Sequence, residues 1–295
     1  MVCTEKAYAK INLYLKVTGR RPDGYHNLVT VMQSVSLADT LTVERTAGEG
    51  IALDCGGALA ADDNNLIVRA AKAYFARRGH PFGVAIRLEK HIPMAAGLGG
   101  GSADAAATLR ALNALDNNRF TLDELCEIGA KIGADVPFCV VGGTRLCHGI
   151  GEQMQPISNN LGGTLVVAIS GEGVSTPAAF GALDAIYGDF SGVDPGDPTA
   201  LLAMLEQGEA VDVGQFYNMF EQAIEPMRPA VTLCKQTLLD RGALCAMMSG
   251  SGPSVWGLFQ TEQQAAAAVK ALGARGARAY LCHMKNDTPL SVNAL

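Results

Sequence analysis

The sequence has 295 residues, 48% of them hydrophobic and 18% charged, with a net charge of −6. At roughly 100–200 residues per domain, that length implies two domains, and a disordered chain would carry fewer aliphatic and more charged residues. The longest uninterrupted apolar run, Val136 to Val141, falls far short of the about 20 residues a membrane helix needs, and no long basic run marks a nucleic-acid or membrane surface. The opening segment, Met1 to Lys6, lacks the basic start and apolar core of a signal peptide. The expectation is a cytoplasmic protein with no nucleic-acid or membrane partner.

Elements follow in chain order. Ala7, Ala9, Ile11, Leu13 and Leu15 alternate with Tyr8, Lys10, Asn12, Tyr14 and Lys16. This period-two strand puts Lys10 and Asn12 together on the non-core face. Pro22-Asp23-Gly24 reverses the chain, and strands follow at about 28–37 and 41–44. Asn65 caps a helix from about 66 to 78 that stops at Gly79. A strand at 84–88 leads to Pro93 and a glycine-rich stretch, which runs into an alanine-rich helix ending near Leu115. Thr121-x-x-Glu124 is a capping box for a helix closed by Gly133.

A glycine cluster at 149–152 and a polar segment at 158–163 suggest a boundary between a domain 1–160 and a domain 161–295. The second half reads as a strand at 165–169, a helix from Pro177 and a surface loop at 189–198. Helices at 200–206 and 229–241, strands at 245–248 and 254–259, a helix from Thr261 to Gly273 and a strand at 277–284 complete it. That order fits a ferredoxin-like α+β layer.

The eight cysteines never fall in a C-x-x-C spacing and the five histidines are scattered, so histidine or cysteine metal sites and thioredoxin-like chemistry have no support. Cys139 and Cys245 read as small hydrophobes inside apolar strands. The informative stretch is Gly97 to Ser102. Glycine lets the backbone approach a ligand closely, and a helix N-terminus offers free N–H groups and a positive dipole end. No Gly-Lys dipeptide supplies a P-loop lysine, and Gly97-x-Gly99-x-x-Ser102 misses the third glycine of the dinucleotide fingerprint. Taken alone, the stretch is either a phosphate site or a glycine-rich turn before a helix.

Three segments in order narrow the choice. Pro93-x-x-x-Gly97-Leu98-Gly99-Gly100-Gly101-Ser102-Ala103 resembles the second motif of the GHMP small-molecule kinases. Ala9-Lys10-Ile11-Asn12-Leu13 resembles their first motif, and Met248-Ser249-Gly250-Ser251-Gly252-Pro253 their third. Arg21 to His26, Asp63 to Ile67 and Gly133 to Phe138 are similar to one branch, whose members phosphorylate a cytidine-diphosphate-linked methylerythritol in the non-mevalonate isoprenoid pathway. The resemblance thins between about 184 and 216 and at the C-terminus. Cys147-His148 stands where members often carry Ala-x before Gly-x-Gly-Glu.

The resemblance implies a two-domain α+β fold, with an N-terminal ribosomal-protein-S5-domain-2-like part that binds ATP and a C-terminal ferredoxin-like part that binds substrate. It implies ATP as co-substrate with Mg2+, and a monomer or homodimer. Asp135 becomes the candidate base and Lys10 its partner. Without the family, Asp135 reads as a turn or cap residue and Lys10 as a solvated lysine. Pro93, Met94, Ala95, Ala96, Gly97, Leu98, Gly99, Gly100, Gly101, Ser102 and Ala103 would cradle the phosphates, with Ser102 also a metal contact. Asp135 could itself be a base, a metal ligand or both.

Asn65 and Leu66 would line the adenine pocket, although a helix cap accounts equally well for Asn65. Asn12, Tyr25, His26, Thr176 and Phe180 would meet the substrate, Tyr25 and Phe180 by stacking on cytosine and His26 by reading its polar edge. Phe180 otherwise reads as core. Asp104 reads as structural. Two other readings remain: another superfamily kinase, of homoserine or mevalonate type, and a catalytically dead nucleotide-binding relative.

Overall fold

Two long antiparallel strands organise the first half: β1 (Val2–Arg20) and β2 (His26–Thr46), paired from Val2↔Glu44 to Arg20↔His26. The computed structural model describes residues 1–169, 171–208 and 212–287, and the backbone of 292–294. Residues 209–211, inside the stretch where the family resemblance thins, lie outside the described residues. The two strands expected at 28–37 and 41–44 form one, because Ala38, Asp39 and Thr40 keep their register opposite Tyr8, Ala7 and Lys6. The reversal between β1 and β2 depends on Gly24 at φ 86 and on an Asp23 carboxylate that accepts from the Tyr25 N–H at 3.1 Å.

Next come β3 (Ile51–Asp54), α1 (Leu66–Arg78) and β4 (Gly83–Glu89). They are followed by α2 (Gly100–Leu115), α3 (Leu122–Ala130), α4 (Val136–Val141), β5 (Thr144–His148) and β6 (Gln153–Pro156). The run around Cys139 is helix α4, not a strand. A short apolar run fits either element, and here Pro137 at the first turn and Gly142 at the end select the helix. Helix α3 stops at Ala130, before Gly133, whose carbonyl instead accepts from the Val136 N–H at 3.1 Å in the turn into α4.

The second half holds β7 (Thr164–Ile169), α5 (Thr176–Tyr187), α6 (Thr199–Gln207), β8 (Tyr217–Asn218) and α7 (Glu221–Ile224). It continues with α8 (Pro229–Asp240), β9 (Cys245–Met248), β10 (Val255–Phe259), α9 (Glu262–Gly273), β11 (Arg278–Cys282), β12 (Met284–Lys285) and β13 (Val292–Ala294). The antiparallel order β11-β7-β10-β9, with α8 and α9 packed against it, is the expected ferredoxin-like layer. The first sheet runs β13-β1-β2-β4-β3, with β5 and β12 beside β2, β6 beside β5 and β8 parallel to β1. Three of its strands therefore come from the second half.

Helix α2 is the centre of the first half, buried at every position from Ala103 to Leu115 between the sheet, α1, α3 and α4. Alanines at 103, 105, 106, 107, 111 and 114 let these elements approach closely. Arg110 locks three of them together. Its guanidinium donates to Glu5 Oε2 at 2.9 Å, the Cys139 carbonyl at 2.7 Å and the Lys6 carbonyl at 3.0 Å. These buried bonds tie β1 to α4, and so hold the strand bearing Lys10 against the helix that follows Asp135.

Candidate active site

Helix α2 begins at Gly100 with Gly99, at φ 67, as its N-cap, and no side chain caps it. The first bond of the helix runs from the Ala103 N–H to the Gly99 carbonyl at 2.8 Å. The N–H groups of Gly100, Gly101 and Ser102 precede it and have no carbonyl four residues back to donate to. Three aligned donors on the positive end of a 16-residue helix form an anion site. Ala103 is not among the donors, because its N–H is already engaged. The loop is held from behind: a Cβ on Gly97 would lie 2.3 Å from the Ser249 carbonyl oxygen, and Ser249 Oγ donates to the Gly97 carbonyl at 3.0 Å.

Lys10 and Asn12 face a second layer instead of solvent, and are 5% and 2% exposed. Strand β1 is covered on that side by both glycine loops: the Lys10 N–H donates to the Leu98 carbonyl at 3.0 Å, and the Gly250 N–H donates to Asn12 Oδ1 at 3.0 Å. The same Asn12 Oδ1 accepts from Lys10 Nζ at 2.9 Å, which aims the ammonium. Trp256, fully buried, donates its indole N–H to the Asn12 carbonyl at 3.1 Å. Asp135 Oδ2 lies 3.6 Å from Lys10 Nζ, and the Asp135 side chain is 35% exposed. Asp135 is the N-cap residue of α4, yet its carboxylate makes no capping bond. The turn-or-cap explanation therefore accounts for its backbone and not for its side chain.

These groups line a cavity of ≈ 840 Å³. Leu66, every residue from Pro93 to Ser102, Lys10, Asn12, Asp135, Tyr25, His26, Thr176 and Phe180 border it, and Asn65 and Ala103 do not. Asn65 is engaged as a helix cap, its Oδ1 accepting from the Ile67 N–H at 2.9 Å and its Nδ2 donating to the Ala60 carbonyl at 2.8 Å. In the other part of the cavity His26 stacks on Phe180, with ring centroids 4.5 Å apart and planes at 18°. Tyr25 is 58% exposed, and Thr176 Oγ1 is 3.3 Å from Ser251 Oγ.

The cavity includes groups that the sequence reading does not place in the site, and three of them bear on its chemistry. Gly250 and Ser251 belong to the third glycine motif, which signalled them. Lys90 and Asp104 had no such signal. Lys90 Nζ donates to Asp104 Oδ2 at 2.8 Å and to the buried Asp39, directly beneath the first turn of α2. Burial, opposed by the Lys90 ammonium and reinforced by the Asp39 carboxylate, pushes the Asp104 pKa up to about 7. Among the described residues its Oδ1 is buried with no hydrogen-bond partner. Asp184 is the third, joined to His26 Nε2 at 2.7 Å.

Among known proteins, the family model described as GHMP kinases N terminal domain matches residues 65–143, and that described as GHMP kinases C terminal matches 195–278. A 4-diphosphocytidyl-2-C-methyl-D-erythritol kinase of Moorella thermoacetica is 45% identical over 258 residues, covering 87% of this chain and 90% of its own. That of Desulfitobacterium hafniense is 43% identical over 260 residues, covering 88% of each. A crystal structure of 4-(cytidine 5'-diphospho)-2C-methyl-D-erythritol kinase superposes with a TM-score of 0.80 at 35% identity, covering 95% of this chain and 98% of that one. A homoserine kinase from Cytophaga hutchinsonii shares the fold at 21% identity, with a TM-score of 0.73 over 99% and 97% of the two chains.

Proposed function

The chain belongs to the GHMP kinases, in the branch of the 4-diphosphocytidyl-2-C-methyl-D-erythritol kinases, and on that footing we propose that it transfers the γ-phosphoryl of ATP to the 2-hydroxyl of 4-diphosphocytidyl-2-C-methyl-D-erythritol. The reaction is a step of the non-mevalonate route to isoprenoid precursors. The observation that carries the reading is the placement, in one cavity, of an uncapped helix N-terminus beside a carboxylate that has Lys10 as its ion-pair partner. The first suits a polyphosphate and the second an acceptor hydroxyl.

Asp135 takes the proton of the 2-hydroxyl as its oxygen attacks the γ-phosphorus, and the bond to the β-phosphate oxygen breaks to release ADP. Lys10, 3.6 Å from Asp135, offsets the negative charge that gathers around it. Residues 97–102 hold the phosphates through main-chain donors, with Ser102 in the first turn of α2. A magnesium ion that comes with ATP draws on only one or two protein oxygens, and Ser102 Oγ and the Asp135 carboxylate, both bordering the loop, fit that need. Such an ion neutralises phosphate charge. Division of labour follows the chain: ATP lies with residues 1–160, and 161–295 supplies Thr176 and Phe180 to the cytidine end.

A coupled ATP-consumption assay with the cytidine-diphospho substrate, homoserine and mevalonate tests the reading. Turnover with the first alone is expected. Turnover with homoserine or mevalonate instead would overturn it.

A further inference from the structure

We propose that Asp184 holds the His26 proton on Nε2 and so makes the pocket select a base that presents an amino group, as cytosine does, over one that presents a carbonyl there. The proposal rests on the reading of His26 as the residue that meets the edge of the base. Phe180 and Asp184 are four residues apart on α5 and therefore share a face. That face grips one imidazole twice. Phe180 stacks on its plane at 4.5 Å, and Asp184 Oδ1 lies 2.7 Å from Nε2. Phe190 meets the same ring edge-on at 5.6 Å and 73°. His26 is 7% exposed, so the ring has one orientation.

A carboxylate only accepts, so Nε2 must be the donor. Arg20 Nη1, 3.6 Å from Asp184 Oδ2, favours that negative charge from the other side. In a neutral imidazole a proton on Nε2 leaves a lone pair on Nδ1. Among the described residues Nδ1 has no protein partner, and His26 borders the cavity. A lone pair there accepts from the 4-amino group of cytosine. Facing the 4-carbonyl of uracil, it would set two acceptors together. Asp184 touches no reacting atom; it is a positioning residue, and selectivity is its product.

The test compares kcat/KM for the cytidine- and uridine-diphosphate-linked methylerythritols in the wild type and in Asp184→Asn. The side-chain amide of asparagine can donate to Nε2, which moves the imidazole proton to Nδ1 and turns an acceptor into a donor, as in the analogous change in serine proteases. The wild type should prefer cytidine by about a hundredfold or more. In Asp184→Asn that ratio should fall at least about tenfold, with KM for ATP unchanged. A preserved ratio in the variant overturns the role of Asp184 while leaving the cytidine reading intact. No preference in the wild type overturns the cytidine reading itself. Equal losses on both substrates would mean a merely structural residue and also overturn the proposal.

Should Asp184→Asn fail to fold, the wild type still decides. Nitrogen-15 spectra of the histidine rings, assigned with His26→Gln, should show His26 protonated on Nε2 alone at pH 8. A proton on Nδ1, alone or in addition, refutes the assignment.

Discussion

Around the glycine loop the groups that face the cavity are main-chain donors, fixed by the start of α2 and by glycines that bring two loops into contact. Around His26 they are side chains, stacked and hydrogen-bonded to one another by α5. Backbone N–H groups at a helix end recognise charge and little else, which suits a phosphate chain carried by many ligands. Side-chain edges recognise donor and acceptor patterns, which suits one base. A homoserine kinase of 21% identity shares this fold. On the proposed function, the loop would carry the phosphate site and the α5 face the base site.

Asp135 belongs to neither region, and its removal should have the largest effect. Asp135→Ala should cut turnover by about 10²–10⁴-fold and leave ATP affinity nearly intact, as measured by steady-state kinetics beside calorimetry. Lys10→Ala should be strongly impaired too, and the double variant little worse than either alone, because the pair acts as a unit. Full turnover in Asp135→Ala would refute its role as base.

In the loop, Gly97→Ala should break the main-chain side of the comparison. Its φ of 74 and the Ser249 oxygen 2.3 Å from the new Cβ force the two loops apart, so KM for ATP should rise by about ten- to a hundredfold while cytidine binding changes far less. Unchanged ATP affinity would reduce these glycines to a turn. On the other side, Phe180→Ala should weaken the cytidine substrate about five- to two-hundredfold, the value of one stacking face. KM for ATP should stay constant. Equal losses for both ligands would erase the distinction between the regions.

Much of the loop region was legible because its requirements are local. Glycines before a helix, a capping box at Thr121, and alternation in β1 are all visible within a few residues. Burial of Lys10 and Asn12 was not visible, because the layer covering them comes from residues 96–98 and 249–254, far along the chain. Helix α4 is not legible in the sequence, because six apolar residues carry no period. The grip of Asp184 on His26 joins positions 158 apart, and neither residue announces the other. Motifs name residues of both regions, whereas the partner that orients His26 is found only in the fold.

The smallest expected effect sharpens the comparison from beneath the loop. Asp39, Lys90 and Asp104 put two carboxylates on one ammonium under the first turn of α2, with Asp104 Oδ1 unpartnered. Burial raises the Asp104 pKa to about 7, whereas an unfolded chain releases that proton near about 4. Between those values the folded state binds more protons than the unfolded one, so stability falls as pH rises. The contribution is complete below about 4 and lost above about 7. Asp104→Asn cannot ionise and keeps an oxygen to accept from Lys90. Its unfolding free energy in urea titrations should therefore gain on the wild type between pH 5 and pH 8, by on the order of 1–3 kcal/mol. Values that run parallel across that range would show that Asp104 is ionised throughout. If the gain appears with kcat and cytidine selectivity unchanged, the cluster supports the main-chain region alone.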